Sequence, residues 1–311
     1  MCSISGICNF EKKPSIQIVE LMTKSLSHRG PDDNGFFQNE NISLGHNRLS
    51  IIDLQNSKQP MKDDKNKNII IFNGEIYNFK ELKSDLKSMG HRFETEGDTE
   101  VILKSYSQWG TECLNKLEGM FVFCIWDDKK KQLFIGRDKF GEKPLFYYFS
   151  KKHGFIFSSE VKSFLQVEEI KKELRLSADS INQYLSLNYL IDNKTFFNEI
   201  KSLNPASYII LNSKNFKNEI LIKKYWFLEE YFKKKTNDSF NQASEKIDFL
   251  LEKSIKQKMF SDVENGVFLS GGVDSSAISL KLKKIDNHIM SAHNILFKEK
   301  NFNESVDAKI I

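Results

Sequence analysis

The chain has 311 residues, 40% of them hydrophobic and 28% charged, which suits two folded domains and is too apolar for a disordered polymer. Its 46 basic residues exceed its 42 acidic ones by only +4, and the lysine triplets at 129–131 and 233–235 read as solvated faces, so no nucleic-acid partner is expected. No apolar run reaches the roughly 18 residues of a membrane helix, the opening MCSISGIC lacks a secretory pattern, and Cys2, Cys8, Cys113 and Cys124 form no CxxC pair. A cytoplasmic, reducing setting with no membrane and no structural metal is therefore expected.

In chain order, residues 3–9 predict a strand. Residues 16–26 carry Ile18, Leu21, Met22 and Leu26 at helical spacing. The run 68–72 is β-branched and apolar, and Asn73-Gly74 after it is a turn signal. Helices are predicted over 79–88 and 98–109. Runs at 121–126 and 132–136 read as a hairpin across Asp127, Asp128 and three lysines, and two more strands follow at 145–149 and 155–158. This is an α+β plan, stacked antiparallel sheets covered by helices, over residues 2–212. A lysine- and asparagine-rich linker is placed at 213–240. Beyond it, Ile247, Leu250, Leu251, Ile255 and Met259 mark an amphipathic helix. A buried strand at 266–269, a Ser-Gly-Gly loop, a helix at 275–284 and a strand at 289–297 open a parallel α/β domain over 241–311.

Several motifs could carry chemistry. Removal of Met1 would leave the Cys2 thiol beside its own α-amine, a nucleophile and a base in one residue; read alone, Cys2 is equally an ordinary processed cysteine. RGPD (29–32) is a turn. HNRLSIID (46–53) offers Arg48, which could fork onto a carboxylate or form a strand-edge ion pair. FNGEIYN (72–78) presents a side-chain amide and a backbone N–H together, as an oxyanion hole needs, although Asn73-Gly74 alone would be a hairpin turn. In GDTE (97–100), Asp98 is either a helix cap or an ammonium ligand. GVFLSGGVDSS (266–276) runs from strand through a glycine loop into a helix, an anion nest without the lysine of a P-loop. Only five arginines occur, and three of them fall inside these motifs or in RDKFGEKPL (137–145), which reads as a structural turn.

The ordered set of amino-terminal Cys, RGPD, HxRLSI, FNGEIYN, GDTE, RDxxGxKPL, FSSE (157–160) and SGGVDSS resembles the glutamine-hydrolysing asparagine synthetase family across nearly the whole chain. The resemblance implies a four-layer αββα sandwich of the N-terminal-nucleophile kind, followed by the start of an ATP pyrophosphatase domain. It implies that Cys2 attacks glutamine, with Asn73 and Gly74 holding the oxyanion. Arg48, Leu49, Ser50, Ile51, Ile52, Asn73, Gly74, Glu75 and Asp98 would bind glutamine. Leu269, Ser270, Gly271, Gly272, Asp274, Ser275 and Ile295 would bind ATP, with Mg²⁺ on its phosphates and aspartate as acceptor. A homodimer is compatible with it. Two other readings stay open: amidation of a sugar carboxylate, and a non-catalytic relative. Ser3 stands where many members have Gly, Glu264-Asn265 replaces a pair that contains Pro, and Leu296 replaces a Gly. The chain stops 35 residues after Ser276, at an apolar Ile310-Ile311 without a helix cap. It therefore reads as a truncated version, expected to hydrolyse glutamine without making asparagine by itself.

Overall fold

The computed structural model describes residues 1–63, 65–216, 220–286, 291–299 and 303–311. The chain divides into two units, Met1–Tyr231 and Phe232–Ile311. In the first unit the strands are β1 (Ser3–Cys8), β2 (Asp33–Gln38), β3 (Ile42–Arg48), β4 (Met61–Asp63), β5 (Asn68–Ile76), β6 (Gly119–Asp127), β7 (Gln132–Arg137), β8 (Phe146–Ser150), β9 (Gly154–Ser158), β10 (Ile200–Ser202), β11 (Ser207–Asn212) and β12 (Leu221–Lys224). The helices are α1 (Ile16–Lys24), α2 (Phe79–Ser88), α3 (Asp98–Trp109), α4 (Glu168–Lys171) and α5 (Ala178–Leu187), and a short α6 (Glu229–Phe232) ends at the division.

The strands form two six-stranded antiparallel sheets, in the orders β10-β8-β9-β1-β3-β2 and β12-β11-β7-β6-β5-β4. Their inner faces share one core, in which Ile4, Leu44 and Phe157 of the first sheet meet Ile71, Cys124 and Trp126 of the second. The outer face of the first sheet is covered by α1, whose Val19 and Met22 pack with Ile7 and Ile156. Ser15 caps α1, its Oγ accepting from Ile18 N. Helices α2 and α3 cover the second sheet, so the unit is an αββα sandwich. With both faces covered, β1 is buried at every position, and its two serines are matched inside, Ser3 by Asn47 and Ser5 by Thr23.

Two expectations need correcting here. Asn73-Gly74 is no turn: β5 runs on to Ile76, with Asn73 opposite Val122 and Gly74 opposite Phe121. A Cβ on residue 74 would sit 2.2 Å from the Met120 carbonyl oxygen, so this glycine is required for close approach of the two strands. The segment read as a linker, 213–240, contains β12, which adds to β11 by pairing Ser207 with Lys224 and Ile210 with Leu221. Residues 217–219 of that segment lie outside the described residues.

One side chain ties the two sheets beneath β5. His46 of β3 is buried, and its Nε2–H donates to the Phe72 carbonyl at 2.9 Å. Burial holds its imidazole down at about 4, despite the favourable bond to Phe72. The unfolded chain takes up a proton near pH 6.5 and the folded chain does not, so this group withdraws stability as pH falls from about 6.5 to about 4. Relative to His46→Gln, the unaltered chain is expected to lose on the order of 3 kcal/mol across that window. Urea unfolding at pH 4.5 and 7 measures it, and equal pH slopes for both proteins would refute it.

In the second unit the elements are α7 (Phe240–Lys258), β13 (Gly266–Phe268), α8 (Val273–Ile285), β14 (Ser291–His293) and α9 (Ser305–Ala308). Ser239 and Gln242 form a capping box at the start of α7. β13 and β14 pair in parallel, Gly266 with Ser291 and Phe268 with His293. The strand expected to be buried is not, for Phe268 is 79% exposed on this two-stranded sheet. Residues 289 and 290 of the strand expected at 289–297 lie outside the described residues. Among the described residues, no helix is long and apolar enough to cross a membrane.

Candidate active site

In the first unit a cleft of about 260 Å³ opens where β1 begins, β3 ends and β5 passes. Cys2 reaches it because it directly precedes β1, whose Ser3 pairs with Asn47, the neighbour of Arg48. The Cys2 sulfur accepts from Leu49 N at 3.3 Å, and its S–H faces the Leu49 carbonyl at 3.6 Å. Burial pushes the thiol up, opposed in part by that Leu49 N–H. A thiol so placed stays protonated at neutral pH and needs a base to become a nucleophile. Arg29 of the RGPD turn donates from Nε to the Cys2 carbonyl at 3.0 Å and is itself held by Glu160 at 3.0 Å.

β5 supplies the opposite wall. β4 pairs with it only as far as Ile70, so the edge beyond is open. Phe121 N and O, across from Gly74, both go to Asp138, which leaves the Gly74 N–H pointing away from β6 toward that open edge. Alternate residues of β5 therefore present their peptide groups there. Phe72 N donates to Gln59 Oε1 at 2.6 Å and its carbonyl accepts from His46. Ile76 N donates to Asp98 Oδ2 at 3.0 Å. Gly74, between them, lines the cleft with Asn73, whose buried Nδ2 has no hydrogen-bond partner among the described residues. A buried amide donor left unmatched costs about 1–3 kcal/mol, so its placement calls for a ligand acceptor.

The third wall is the 49–57 loop. Among the described residues, Arg48 forks onto no carboxylate. Its guanidinium donates to the carbonyls of Leu54 (2.9 Å), Ile52 (3.2 Å) and Asp53 (2.7 Å), so the loop is wrapped around it. Leu49, Ile51 and Ile52 line the cleft with Arg48 itself. Ser50 does not, its N–H being taken by Asp32 at 2.8 Å. Asp98 lies at the first turn of α3, with Gly97 rather than Asp98 as the cap. Burial raises its carboxyl to about 7, helped by the charge of Glu75 and opposed by the Ile76 N–H. Glu75 is half-buried and also lines the cleft.

Seven lining residues were not anticipated as site residues, the polar Ser57, Gln59 and Lys143 among them. Ser57 has a buried hydroxyl without a partner among the described residues, lying over Gly97. Gln59 joins Phe72 to Thr99, donating from Nε2 at 3.3 Å. Their NSKQP context carries no sequence signal. Lys143 reaches the cleft from RDKFGEKPL, a motif read as structural, and for its neighbours that reading describes the geometry. Arg137 donates to the carbonyls of Lys143, Gly141 and Leu203, and Asp138 accepts from Phe140 N, Glu142 N and Lys143 N. Cys8, Cys113 and Cys124 are buried free thiols away from the cleft.

In the second unit, Leu269, Ser270, Ser275 and Ile295 line a cleft of about 360 Å³. Gly271, Gly272 and Asp274 belong to the loop and the first turn of α8 but do not line it. Ser270 Oγ meets Ser275 Oγ at 3.0 Å and accepts from Gly272 N at 3.3 Å, which tightens the loop. Gly271 has φ +85°, and a Cβ there would sit 2.6 Å from Asp307 Cβ. Among the described residues no group of three or more His, Cys, Asp or Glu could hold a metal ion.

Residues 1–226 match the model of a family described as a glutamine amidotransferase domain, and residues 246–311 match that of asparagine synthase. The chain is 36% identical over 286 residues to the glutamine-hydrolyzing asparagine synthetase 3 of Bacillus subtilis (strain 168), covering 90% of this chain and 45% of that protein. It is 38% identical over 297 residues to the putative glutamine-hydrolyzing asparagine synthetase 2 of Methanocaldococcus jannaschii, covering 89% of this chain and 56% of that protein. The chain thus spans about half the length of the curated relatives it matches. The solved glutamine phosphoribosylpyrophosphate amidotransferase of B. subtilis, in complex with ADP and GMP, shares the fold, with a TM-score of 0.54 at 18% identity over 96% of this chain and 67% of that one.

Proposed function

The chain belongs to the glutamine amidotransferase domain family, and from that premise we propose that its first unit hydrolyses glutamine through Cys2. The observation that carries the reading is the unmatched Asn73 Nδ2 beside the Gly74 N–H, in the same cleft as the Cys2 sulfur. Once Met1 is removed, the Cys2 amine takes the thiol proton as sulfur attacks the side-chain amide carbon of glutamine. The carbonyl oxygen becomes an oxyanion between Asn73 Nδ2 and Gly74 N–H. Collapse returns a proton to the leaving nitrogen, ammonia departs and a thioester forms. Water then releases glutamate and restores the thiol. Asp98 holds the α-ammonium with Glu75 nearby, and Arg48 keeps the loop that carries Leu49 and Ile52 in shape while lining the α-carboxylate end. A cytoplasmic, reducing setting suits a free catalytic thiol.

We further propose that the ammonia amidates aspartate, as the relatives' names and the asparagine synthase match support. ATP would convert the β-carboxylate to an acyl-adenylate with loss of pyrophosphate, and ammonia would displace AMP. The Ser270–Ser275 loop would hold the phosphates, and Leu269 and Ile295 would flank the nucleotide. Asp274 and Asp307 lie beside that loop, but among the described residues no group of three metal-binding side chains stands there, so Mg²⁺ would be held chiefly by the phosphates it accompanies.

The decisive experiment is glutamate release from glutamine by the purified chain, with its amino terminus weighed by mass spectrometry. Release from protein that begins at Cys2 is expected, and no release from such protein would overturn the reading. The pH dependence follows from Asp98. The α-ammonium of glutamine binds the ionised carboxylate, and below about pH 7 that form declines. The kcat/KM for glutamine is expected to fall by up to about tenfold per pH unit there, chiefly through KM. With saturating glutamine the bound ammonium keeps Asp98 ionised, so kcat should be less affected. Asp98→Asn should raise KM and remove its rise on acidification. A KM that ignores pH between 5.5 and 7.5 in the unaltered chain would refute this role.

A further inference from the structure

Lys143 is 5% exposed and lines the cleft, yet among the described residues no carboxylate lies within ion-pair distance of its ammonium. Its one hydrogen-bond partner there is the Met1 thioether, with Nζ 3.4 Å from Sδ. A thioether is a weak acceptor, and burying an ammonium against it is costly. Removal of Met1, which the proposed chemistry requires, takes even that partner away. The peptide nitrogen of Cys2 then becomes the free amine, in the same cleft that Lys143 lines.

We propose that Lys143 is a positioning residue for the glutaminase reaction, its positive charge keeping the Cys2 α-amine unprotonated and so available as the base. The inference rests on the reading of Cys2 as nucleophile. The charged groups around the site come from every wall of the cleft: Cys2 and the amino terminus from the start of the chain, Arg29 and Asp32 from the RGPD turn, Arg48 from the end of β3, Glu75 from β5, Asp98 from α3, and Glu142 and Asp138 from the loop of Lys143 itself. Arg29 is paired with Glu160 at 3.0 Å and acts on the amine in the same sense as Lys143. Lys143 has no such match. The amine of Met1 already feels the effect, being held below its ordinary value first by burial, then by Arg29 and Lys143, against the opposing Cys2 and Asp32. A neighbouring cation disfavours a second one.

The test is kcat at saturating glutamine from pH 6 to 9, with Asp98 then held ionised by substrate, for the unaltered chain and for Lys143→Gln, Lys143→Met and Lys143→Arg. Without the cation the amine becomes more basic. The acid limb is expected to move up by about one pH unit in both neutral variants, with kcat about tenfold lower at pH 7 and recovered to within about twofold at pH 9. Lys143→Arg should keep the unaltered limb. A uniform loss at every pH with the limb unmoved, or no change in either neutral variant, would overturn the proposal. A Cys2→Ala control separates the two levels: if the unaltered chain shows no Cys2-dependent glutamate release, the reading of Cys2 fails and this inference falls with it.

Discussion

Replacing Cys2 with Ala is expected to abolish glutamate release, a fall of more than about 10⁴-fold in kcat. The size follows from what else the cleft contains. Ser57 has a hydroxyl there, but among the described residues it has no hydrogen-bond partner that could serve as base, and its Oγ lies against Gly97 on the α3 side. Lys143 offers an amine, but while protonated it has no lone pair with which to attack. Only the Cys2 sulfur combines a polarising N–H, from Leu49, with an α-amine in the same residue. The exchange leaves a small second residue, so Met1 removal should proceed in both proteins, and mass spectrometry verifies it. Ser57→Ala should keep a Cys2-dependent rate. Residual activity above about one hundredth in Cys2→Ala would mean another group attacks the amide.

Asn73→Ala is expected to lower kcat by about 10²–10³-fold, with KM changing by no more than a few-fold, because Nδ2 meets charge that exists only in the transition state. Stability should move the other way or not at all. Asn73 is 1% exposed and its Nδ2 is unmatched in the ligand-free protein, so truncation removes a buried donor that costs folding free energy. Thermal unfolding alongside steady-state kinetics decides the matter. A variant that loses activity and melts several degrees lower would identify Asn73 as a packing residue. Gly74 cannot be tested so simply, since any side chain there collides with the Met120 carbonyl.

The apolar and β-branched runs made most of the first unit legible. Helices α2 and α3 begin and end where the periodicity places them, and β6 and β7 form the hairpin across the lysine triplet. β2 and β3 carried no strand signal. β3 reads Ile-Ser-Leu-Gly-His-Asn-Arg, yet it is buried at every position, because its polar groups are matched inside: Ser43 by the Pro14 carbonyl, Asn47 by Ser3 and Thr23, and His46 by Phe72. Gly45 is small because α1 presses on it, a Cβ there lying 2.1 Å from Thr23 Oγ1. Such a strand violates propensity for reasons that only its neighbours reveal.

The site divides along similar lines. Cys2, Arg48, Asn73 with Glu75, and Asp98 came from four separate motifs and line one cleft. Arg48 shows how a correct residue can carry an unforeseen geometry, for its planar fork is used on three backbone carbonyls that no spacing rule would predict. Ser57 and Gln59 gave no signal, since each matters only through the strand or helix it happens to face. In the second unit the loop glycines were legible as a nest, but which loop residues face the cleft depends on the turn geometry at Gly271.

The two buried acid–base groups flanking β5 also act as counterweights. Asp98, raised to about 7, keeps in the folded chain a proton that the unfolded chain would release above pH 3.8, so its contribution weakens as pH rises toward 7. His46, lowered to about 4, refuses one that the unfolded chain would accept below pH 6.5, so its contribution weakens as pH falls. Over most of the interval between, their proton ledgers cancel, and unfolding exchanges almost no net proton with solvent on their account. Glutamine would break the balance. Its ammonium would expel the Asp98 proton, leaving His46 unopposed, so the liganded protein should be the more acid-sensitive of the two.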